Sequence, residues 1–264
     1  MKNIRLFQPS LGPKELNSVK KVFQKSWIGY GTEVQKFENE WCKHFNAKHS
    51  IAVNSCTAAL HLSLLCNNFK KGKKVLVPAI TFSATAAVVL YCGLIPVFVD
   101  INKNDLNMSV DDLKKKFTKD CVAIIPVHFG GHPCEMDKIM HFANQKKLVV
   151  IEDCAQTCGG YYKGKKIGTW GHFGCFSFEE KKMMTTGDGG MIVTNNSSME
   201  KKLKSLSFHG WDKDPLLRHK QRFLNNQKKS KKNLHWYYEI KQLGYKYNMN
   251  DLEASIGRVQ LKFL

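Results

Sequence analysis

The chain has 264 residues, of which 43% are hydrophobic and 24% are charged, and this composition excludes the disordered and fibrous classes. Its 41 lysines and arginines exceed its 22 aspartates and glutamates, which gives a net charge of +19. A basic excess of this size suits nucleic acid, an anionic membrane or a phosphorylated small molecule as a partner, and it also fits a surface that is merely solvated.

Neither a membrane span nor a signal core is evident in the sequence. The most apolar stretch, residues 84–99, is interrupted by Gly93 and Pro96 and is too short to cross a bilayer. The nine cysteines are an odd number, and no pair has the spacing CxxC. This pattern favours free thiols in a reducing compartment, so we expect a cytoplasmic protein.

The apolar residues have a helical spacing at the start of the chain and then form short runs. Helices are predicted over residues 13–26, with Leu16, Val19, Val22 and Phe23 on the apolar side, and over residues 33–45. Strands are predicted at 51–53, 75–77, 96–99, 122–127 and 148–151, with helices at 58–65, 83–91, after 111–112 and at 136–145. Strands without polar alternation are typical of parallel sheets covered on both faces, so we expect an α/β three-layer sandwich with a mostly parallel central sheet.

The pattern changes after Gly190. A further strand is predicted at 191–194, followed by a polar, lysine-rich stretch up to about residue 233. We interpret residues 228–232 within it as a mobile surface loop. An amphipathic helix is expected over residues 251–264.

Parallel sheets bind ligands where their strands end, so the residues after each predicted strand are candidates. Residues 54–58 precede a helix whose N-terminus can bind a phosphate, although an ordinary N-cap explains the same residues. Asp153 follows a strand and offers a carboxylate to a ring nitrogen, or serves the structure alone. Phe82 can stack on a planar ring or pack in the core.

The most specific segment is Phe-Ser-Phe-Glu-Glu-Lys-Lys-Met-Met-Thr-Thr-Gly-Asp-Gly-Gly, residues 176–190. It joins Ser177, the pair Lys181-Lys182 and a glycine-rich turn. Glycines permit a positive φ and a close approach of backbones. A lysine among apolar residues loses its proton more readily, as Schiff-base chemistry requires.

With this segment the sequence resembles the DegT/DnrJ/EryC1/StrS family of pyridoxal-phosphate sugar aminotransferases, which have the fold-type I, aspartate aminotransferase-like architecture. The resemblance covers nearly the whole chain. It includes the segments Trp27-Ile28-Gly29-Tyr30-Gly31, Ser55-Cys56-Thr57-Ala58-Ala59-Leu60-His61, Ile151-Glu152-Asp153-Cys154-Ala155-Gln156 and Gly244-Tyr245-Lys246-Tyr247-Asn248-Met249.

The resemblance implies roles for the matching residues. Lys182, rather than Lys181, matches the Schiff-base lysine. The other cofactor contacts that it implies are Asp153 to the pyridinium nitrogen, Gln156 to the ring hydroxyl, Phe82 on the ring face, Thr57, Ala58 and Ser177 to the phosphate, and Asn248 to the phosphate of a partner subunit. Contacts with substrate are implied for Trp27, Tyr30, His209 and Tyr238, for which ordinary loop packing is the alternative. No metal is expected.

The resemblance also implies the reaction. An amino group passes from glutamate, the expected donor, to a nucleotide-linked keto-deoxysugar, expected to be a 4-keto-6-deoxy sugar bearing UDP, GDP or dTDP. The product would serve amino-sugar and surface-polysaccharide biosynthesis, including lipopolysaccharide. A homodimer with shared active sites is expected.

Residues 1–240 correspond to the family's cofactor-binding large domain, and residues 241–264 to the start of the helix that leads into a smaller C-terminal domain, which we expect to be otherwise absent. One departure from the family is Glu179-Glu180, where less charged residues are common.

Three alternatives remain open. A pyridoxamine-dependent sugar dehydratase has the same scaffold, but such enzymes carry histidine in place of Lys182. A truncated, catalytically weak fragment that binds the cofactor or dimerises would need a partner chain. A nucleic-acid binder is disfavoured, because no helix-turn-helix, zinc or RNP pattern accompanies the positive charge.

Overall fold

The computed structural model describes residues 7–211 and 238–264. Residues 228–232, which we predicted to form a surface loop, lie outside these ranges. The strands are β1 (His49–Val53), β2 (Lys74–Pro78), β3 (Ile95–Val99), β4 (Cys121–Ile124), β5 (Val149–Asp153), β6 (Tyr161–Tyr162), β7 (Lys165–Lys166), β8 (Phe173–Ser177) and β9 (Gly190–Thr194). The helices are α1 (Pro13–Gln24), α2 (Thr32–Phe45), α3 (Cys56–Leu65), α4 (Ala84–Tyr91), α5 (Val110–Lys116), α6 (Met136–Lys146), α7 (Ser197–Ser207) and α8 (Asp251–Gln260), with 3-10 turns at Phe129–Gly131 and Leu261–Phe263.

Seven strands form one central sheet in the order β1-β9-β8-β5-β4-β2-β3. The pairs β2–β3, β2–β4, β4–β5 and β5–β8 are parallel, whereas β9 is antiparallel to both of its neighbours, β8 and β1. Six strands therefore run in one direction. The predicted mostly parallel sheet is confirmed, and the carboxyl ends of these six strands meet at the same edge.

Helices cover both faces of the sheet, as expected for three layers. Alternate side chains of β2 face opposite sides of the sheet. Val75 and Val77 pack with α3, α4 and α7, whereas Leu76 packs with α5 and α6. Helices α2 and α8 pack beyond β1, β8 and β9 on the second face. The apolar face of α2 is confirmed, since its apolar side chains Val34, Phe37, Trp41 and Phe45 are all buried.

Three features differ from the sequence prediction. The predicted strand at 122–127 ends at Ile124. Helix α1 buries Val22 but leaves Leu16 and Phe23 exposed. Strand β8 was not predicted, because Gly174 interrupts its apolar pattern; a Cβ on Gly174 would lie 2.1 Å from the Gly168 carbonyl oxygen, so glycine serves a close backbone approach within a strand.

The N-cap residue of α2, Gly31, has no side chain to cap the helix, and Asp251 of α8 supplies the cap instead. Asp251 Oδ1 accepts hydrogen bonds from the backbone nitrogens of Glu33 (3.1 Å) and Val34 (3.0 Å). Arg258 of α8 pairs with Glu33 and Glu40 of α2. The last helix is therefore joined to the layer of α2. Within the described ranges, no helix combines the length and hydropathy needed to cross a membrane.

Candidate active site

A cavity of about 650 Å³ opens at the edge where the parallel strands end. Turns after β1, β2, β4, β5 and β8 contribute its walls. It is lined by six of the residues predicted from sequence as cofactor contacts: Thr57, Phe82, Asp153, Gln156, Ser177 and Lys182. Residues that lie far apart in the chain thus meet around one space.

Asp153 is the last residue of β5 and is 4% exposed. Its Oδ2 accepts a hydrogen bond from Thr85 Oγ1 at 2.8 Å, its Oδ1 accepts one from the backbone nitrogen of Ala155 at 3.1 Å, and Cys56 Sγ lies 4.0 Å from Oδ1. These partners are neutral, and within the described residues Asp153 forms no ion pair. Burial raises the pKa of Asp153, although the hydrogen bonds from Ala155 and Thr85 oppose this effect.

The adjacent Glu152 points away from the cavity, as expected for neighbouring residues of a strand. Its carboxylate accepts hydrogen bonds from the backbone nitrogens of Gly171 (2.7 Å) and Gly168 (2.9 Å). His128 accepts from Cys134 N through Nδ1 at 3.1 Å, so its Nε2 carries the proton toward Glu152 at 3.3 Å. Glu152 therefore anchors the turn before β8.

His128, Glu152 and Cys154 bring three atoms of metal-ligand type within 4.8 Å of one another. A metal ion there would have to replace the hydrogen bond between His128 and Glu152, and would compete with the two amides that hold the Glu152 carboxylate. Hydrogen bonding inside the protein explains this cluster.

The turn before α3 contains an ordinary N-cap and also faces the cavity; its binding of a phosphate stays a prediction. Ser55 is the N-cap, and its Oγ accepts from the backbone nitrogen of Ala58 at 3.1 Å. Ala58 is buried and does not line the cavity, whereas Cys56 and Thr57 do. A Cβ on Gly190 would lie 2.6 Å from the carbonyl group of Ser55, so the start of β9 can approach this turn only as glycine.

Lys182 lies in the loop between β8 and β9 and is half-buried. It forms no ion pair within the described parts of the chain. Lys181 also lines the cavity, and its Nζ lies 3.9 Å from Glu179 Oε1. Glu179 further accepts from the backbone nitrogen of Lys181 at 3.1 Å. The Glu179 carboxylate is thus directed at Lys181.

Two further predicted residues differ in how they are held. Gln156 Oε1 accepts from the backbone nitrogen of Gly130 at 2.7 Å, which orients its amide at the cavity wall. Phe82 follows β2 and is 72% exposed, so the core-packing alternative is wrong for this ring.

The remaining predicted residues do not line this cavity. Asn248 pairs with the end of β1 at Val53, its Nδ2 donates to the Met249 carbonyl at 3.1 Å, and its buried Oδ1 has no partner within the described residues. Trp27 Nε1 donates to the Tyr30 carbonyl at 3.0 Å. The implied roles of these residues stay predictions.

Three predicted substrate residues belong to an aromatic cluster. The ring centroids of Tyr30 and His209 lie 6.3 Å and 5.7 Å from that of Phe208, and Tyr238 stacks on Trp211 at 3.9 Å. The packing alternative describes these contacts. Their role toward a substrate also stays a prediction.

Sequence reasoning missed several residues around the cavity. Phe7 and Thr81 in its lining and Thr85 behind Asp153 were not singled out, while Cys56, Glu179, Lys181 and Asp188 lay in quoted segments but were assigned no contact. The pair Thr81 and Thr85, on either side of Phe82, was the available signal, but threonines at the start of a helix are too common to single out.

Known proteins are similar to this chain over almost its full length. Uncharacterized protein MJ1066 of Methanocaldococcus jannaschii is 43% identical, with 97% of this chain and 64% of that protein covered. Spore coat polysaccharide biosynthesis protein SpsC of Bacillus subtilis is 39% identical (97% and 63%), and GDP-perosamine synthase of Escherichia coli O157:H7 is 38% identical (99% and 66%). The chain therefore spans slightly less than two thirds of these relatives.

Solved structures have the same architecture. An aminotransferase from Psychrobacter cryohalolentis superposes with a TM-score of 0.86 at 32% identity, covering 97% of this chain and 62% of the other. The E. coli GDP-4-keto-6-deoxy-D-mannose-3-dehydratase with bound hydrated PLP has a TM-score of 0.86 at 27% identity, covering 99% and 68%. The profile of the DegT/DnrJ/EryC1/StrS aminotransferase family matches residues 9–264. The chain belongs to this family, whose members are sugar aminotransferases that use pyridoxal phosphate.

Proposed function

We propose that the chain binds pyridoxal phosphate in the cavity and transfers an amino group from glutamate to a nucleotide-linked 4-keto-6-deoxy sugar. The observation that carries the proposal is the buried Asp153 carboxylate, which has only neutral hydrogen-bond partners and lines the same cavity as Lys182. A buried carboxylate of this kind is stabilised by a cation placed against it. The protonated ring nitrogen of the cofactor is such a cation.

The other lining residues fit the same cofactor. The exposed ring of Phe82 offers a flat surface for a planar ring. The start of α3, with Thr57, and the nearby Ser177 offer donors to a phosphate. Gln156 is oriented to donate from its amide nitrogen to the ring hydroxyl. We retain Ala58 as a second phosphate contact, although its amide is already used by Ser55.

The bound cofactor supplies an electron sink for the negative charge that develops at the donor's α-carbon. Asp153 would hold a proton at the ring nitrogen and so favour the cationic ring. Lys182 would hold the cofactor, and its amine would take the proton at the α-carbon of the donor. Lys181, paired with Glu179, is not assigned this role.

The substrate class rests on the relatives. One similar protein is named a GDP-perosamine synthase and another a spore coat polysaccharide biosynthesis protein, which supports a nucleotide-linked sugar and surface-polysaccharide biosynthesis. The net charge of +19 favours attraction of a nucleotide diphosphate. We disfavour the dehydratase alternative, despite the shared fold, because residue 182 is lysine.

We further propose a homodimer in the cytoplasm, with residues 1–240 as the cofactor-binding domain and residues 241–264 as the segment that contains α8. All nine cysteines are free thiols, which supports a reducing compartment. Exposed apolar side chains on α4 and β3 support an interface: Leu90, Tyr91, Ile95 and Phe98. Asn248 is proposed to reach the phosphate in the second copy, and Trp27, Tyr30, His209 and Tyr238 to contact the sugar nucleotide.

The adjacent lysines permit a matched test. Purified wild-type protein, Lys182→Ala and Lys181→Ala are titrated with pyridoxal phosphate, and visible absorbance is recorded before and after glutamate. We expect a visible band from the lysine-bound cofactor in the wild type and in Lys181→Ala, bleached by glutamate, and no such band in Lys182→Ala. Absence of the band from the wild type, or its loss in Lys181→Ala alone, would contradict the proposal.

A further inference from the structure

Two threonine hydroxyls form a short chain that ends on the Asp153 carboxylate. Thr85 is fully buried in the first turn of α4, and its Oγ1 lies 2.8 Å from Asp153 Oδ2. Thr81 Oγ1 lies 2.7 Å from Thr85 Oγ1. The backbone nitrogen of Ala155 donates to the other carboxylate oxygen at 3.1 Å. Each oxygen of Asp153 therefore has its own donor, which fixes the plane of the carboxylate.

The direction of the protons follows from the chemistry of the groups. An ionised carboxylate only accepts hydrogen bonds, so Thr85 donates to Asp153. Thr85 has then used its single proton, and Thr81 has to donate to Thr85. This arrangement favours the charged carboxylate, because a hydroxyl donor stabilises the ionised form more than the neutral one.

The same turn of chain presents the aromatic ring at the cavity. The backbone nitrogen of Thr85 donates to the Phe82 carbonyl at 3.1 Å. Phe82 is 72% exposed and lines the cavity, whereas Thr85 is completely buried behind it. One helical turn thus couples the position of the exposed ring to the position of the carboxylate.

We propose that Thr85, supported by Thr81, is a positioning residue that orients the Asp153 carboxylate and keeps it ionised. This inference rests on the proposed function, in which that carboxylate pairs with the ring nitrogen of pyridoxal phosphate. Thr85 does not line the cavity and acts through Asp153.

Other titratable groups surround Asp153, and they are the same in every Thr85 variant. They come from α3, β5, β8, the turn after β4 and the loop after β8: Cys56, Glu152, Cys154, Cys175, His128 and Lys182. Burial raises the pKa of the three thiols, so they stay neutral. A difference in the pKa of Asp153 between Thr85 variants therefore reports the effect of the Thr85 hydroxyl.

The test compares Thr85→Val, which keeps the shape and removes the hydroxyl, with Thr85→Ser, which keeps the hydroxyl. In protein without cofactor, the Asp153 carboxyl is titrated by NMR with ¹³C-labelled aspartate and assigned by its absence in Asp153→Asn. We expect Thr85→Val to raise the pKa of Asp153 by about one unit and Thr85→Ser to leave it near the wild-type value. Thr81→Val should give a smaller shift in the same direction.

The cofactor is then titrated against the same variants at several pH values. We expect Thr85→Val to weaken binding of pyridoxal phosphate about tenfold and to move the acid limb of binding to higher pH, because the loss of one hydrogen bond to a charged group has this size. Thr85→Ser should restore both properties. Melting temperatures identify a variant that is merely unfolded. If Thr85→Val is unfolded, the comparison of the Thr81→Val variant with the Thr85→Ser variant tests the inference.

Equal Asp153 titrations in Thr85→Val and Thr85→Ser would overturn the inference. A wild-type protein that fails to bind the cofactor would overturn the proposed function instead, and the NMR titration would still decide whether Thr85 holds Asp153 ionised.

Discussion

Glu152 and Asp153 are adjacent carboxylates with different surroundings, and the alternation of the strand separates them. Glu152 is held by two glycine amides and His128 on one face of the sheet, whereas Asp153 faces the cavity. The Glu152 carboxyl accepts its hydrogen bonds inside the protein and does not line the cavity. Asp153 lines the cavity together with Lys182, which is why this residue, and not its neighbour, is assigned to the cofactor.

Gly190 provides a residue-level prediction. We expect Gly190→Ala to lower the free energy of unfolding by about 1–3 kcal/mol and to weaken cofactor binding, because its Cβ would meet the backbone of Ser55 and Cys56 and displace the turn that faces the phosphate. Chemical denaturation and cofactor titration measure the two effects. Gly29→Ala is the control, since no atom lies within 4 Å of a Cβ there. Equal behaviour of the two variants would refute the close-approach argument.

At the scale of elements, α2 and α8 depend on each other across the chain. Helix α2 has no side-chain cap of its own, and Asp251 caps it from α8. Glu33 in the first turn of α2 accepts from Lys25 and Arg258. Burial raises the pKa of Glu33, but these hydrogen bonds and charges outweigh burial and lower it to about 2 from the usual 4.5.

The lowered pKa of Glu33 predicts how stability depends on pH. A carboxyl whose pKa is lower in the folded state stabilises the protein at pH values above its pKa in the unfolded state. This contribution is lost as the pH falls from about 4.5 to about 2. We expect Arg258→Ala to lower the free energy of unfolding by about 2 kcal/mol at neutral pH. In this variant the free energy of unfolding should also fall less steeply as the pH is lowered through the same range.

Thermal or urea unfolding between pH 2 and 7 measures both effects of Arg258→Ala. The control is Lys36→Ala, which removes an exposed partner of the same Glu33 and should change stability by less than about 0.5 kcal/mol. If the two variants lost equal stability, the pairing between α2 and α8 would not have the importance assigned to it.

At the scale of the whole molecule, α4 and the edge strand β3 leave apolar side chains uncovered. Leu90 and Tyr91 are 60% and 62% exposed, and Ile95 and Phe98 of β3 are about half exposed. Helix α4 is apolar all round, which is typical of a helix that is covered on every side. We propose that a second copy of the chain covers these side chains.

We expect the protein to be a dimer by light scattering, and Leu90→Asp to shift it toward the monomer, because a buried unpaired charge opposes association. Tyr161→Asp changes an equally exposed apolar residue on the β6–β7 hairpin and should leave the dimer intact. A monomeric wild type, or a Leu90→Asp variant that stays dimeric, would contradict this interface.

The sequence by itself determined the parts of the protein that depend on local periodicity. The four apolar residues of α2 recur at helical spacing and all are buried, and the apolar runs at 51–53, 75–77 and 191–194 are strands of the sheet. The residues that follow strands were recognisable as site candidates, because parallel strands end at a common edge. Thr57, Phe82 and Asp153 among them line the cavity, and together with the lysine segment of residues 176–190 they indicated the family.

Only the tertiary structure decided which of these residues touch one another. Thr85 meets Asp153, 68 residues away, and Asp251 caps a helix more than 200 residues earlier, so neither pairing leaves a local pattern. Strand β8 escaped prediction because Gly174 serves a contact with Gly168, and Ala58 is buried outside the cavity, with its amide bonded to Ser55. Periodicity records whether a residue is buried, whereas its hydrogen-bond partner is set by how distant segments pack.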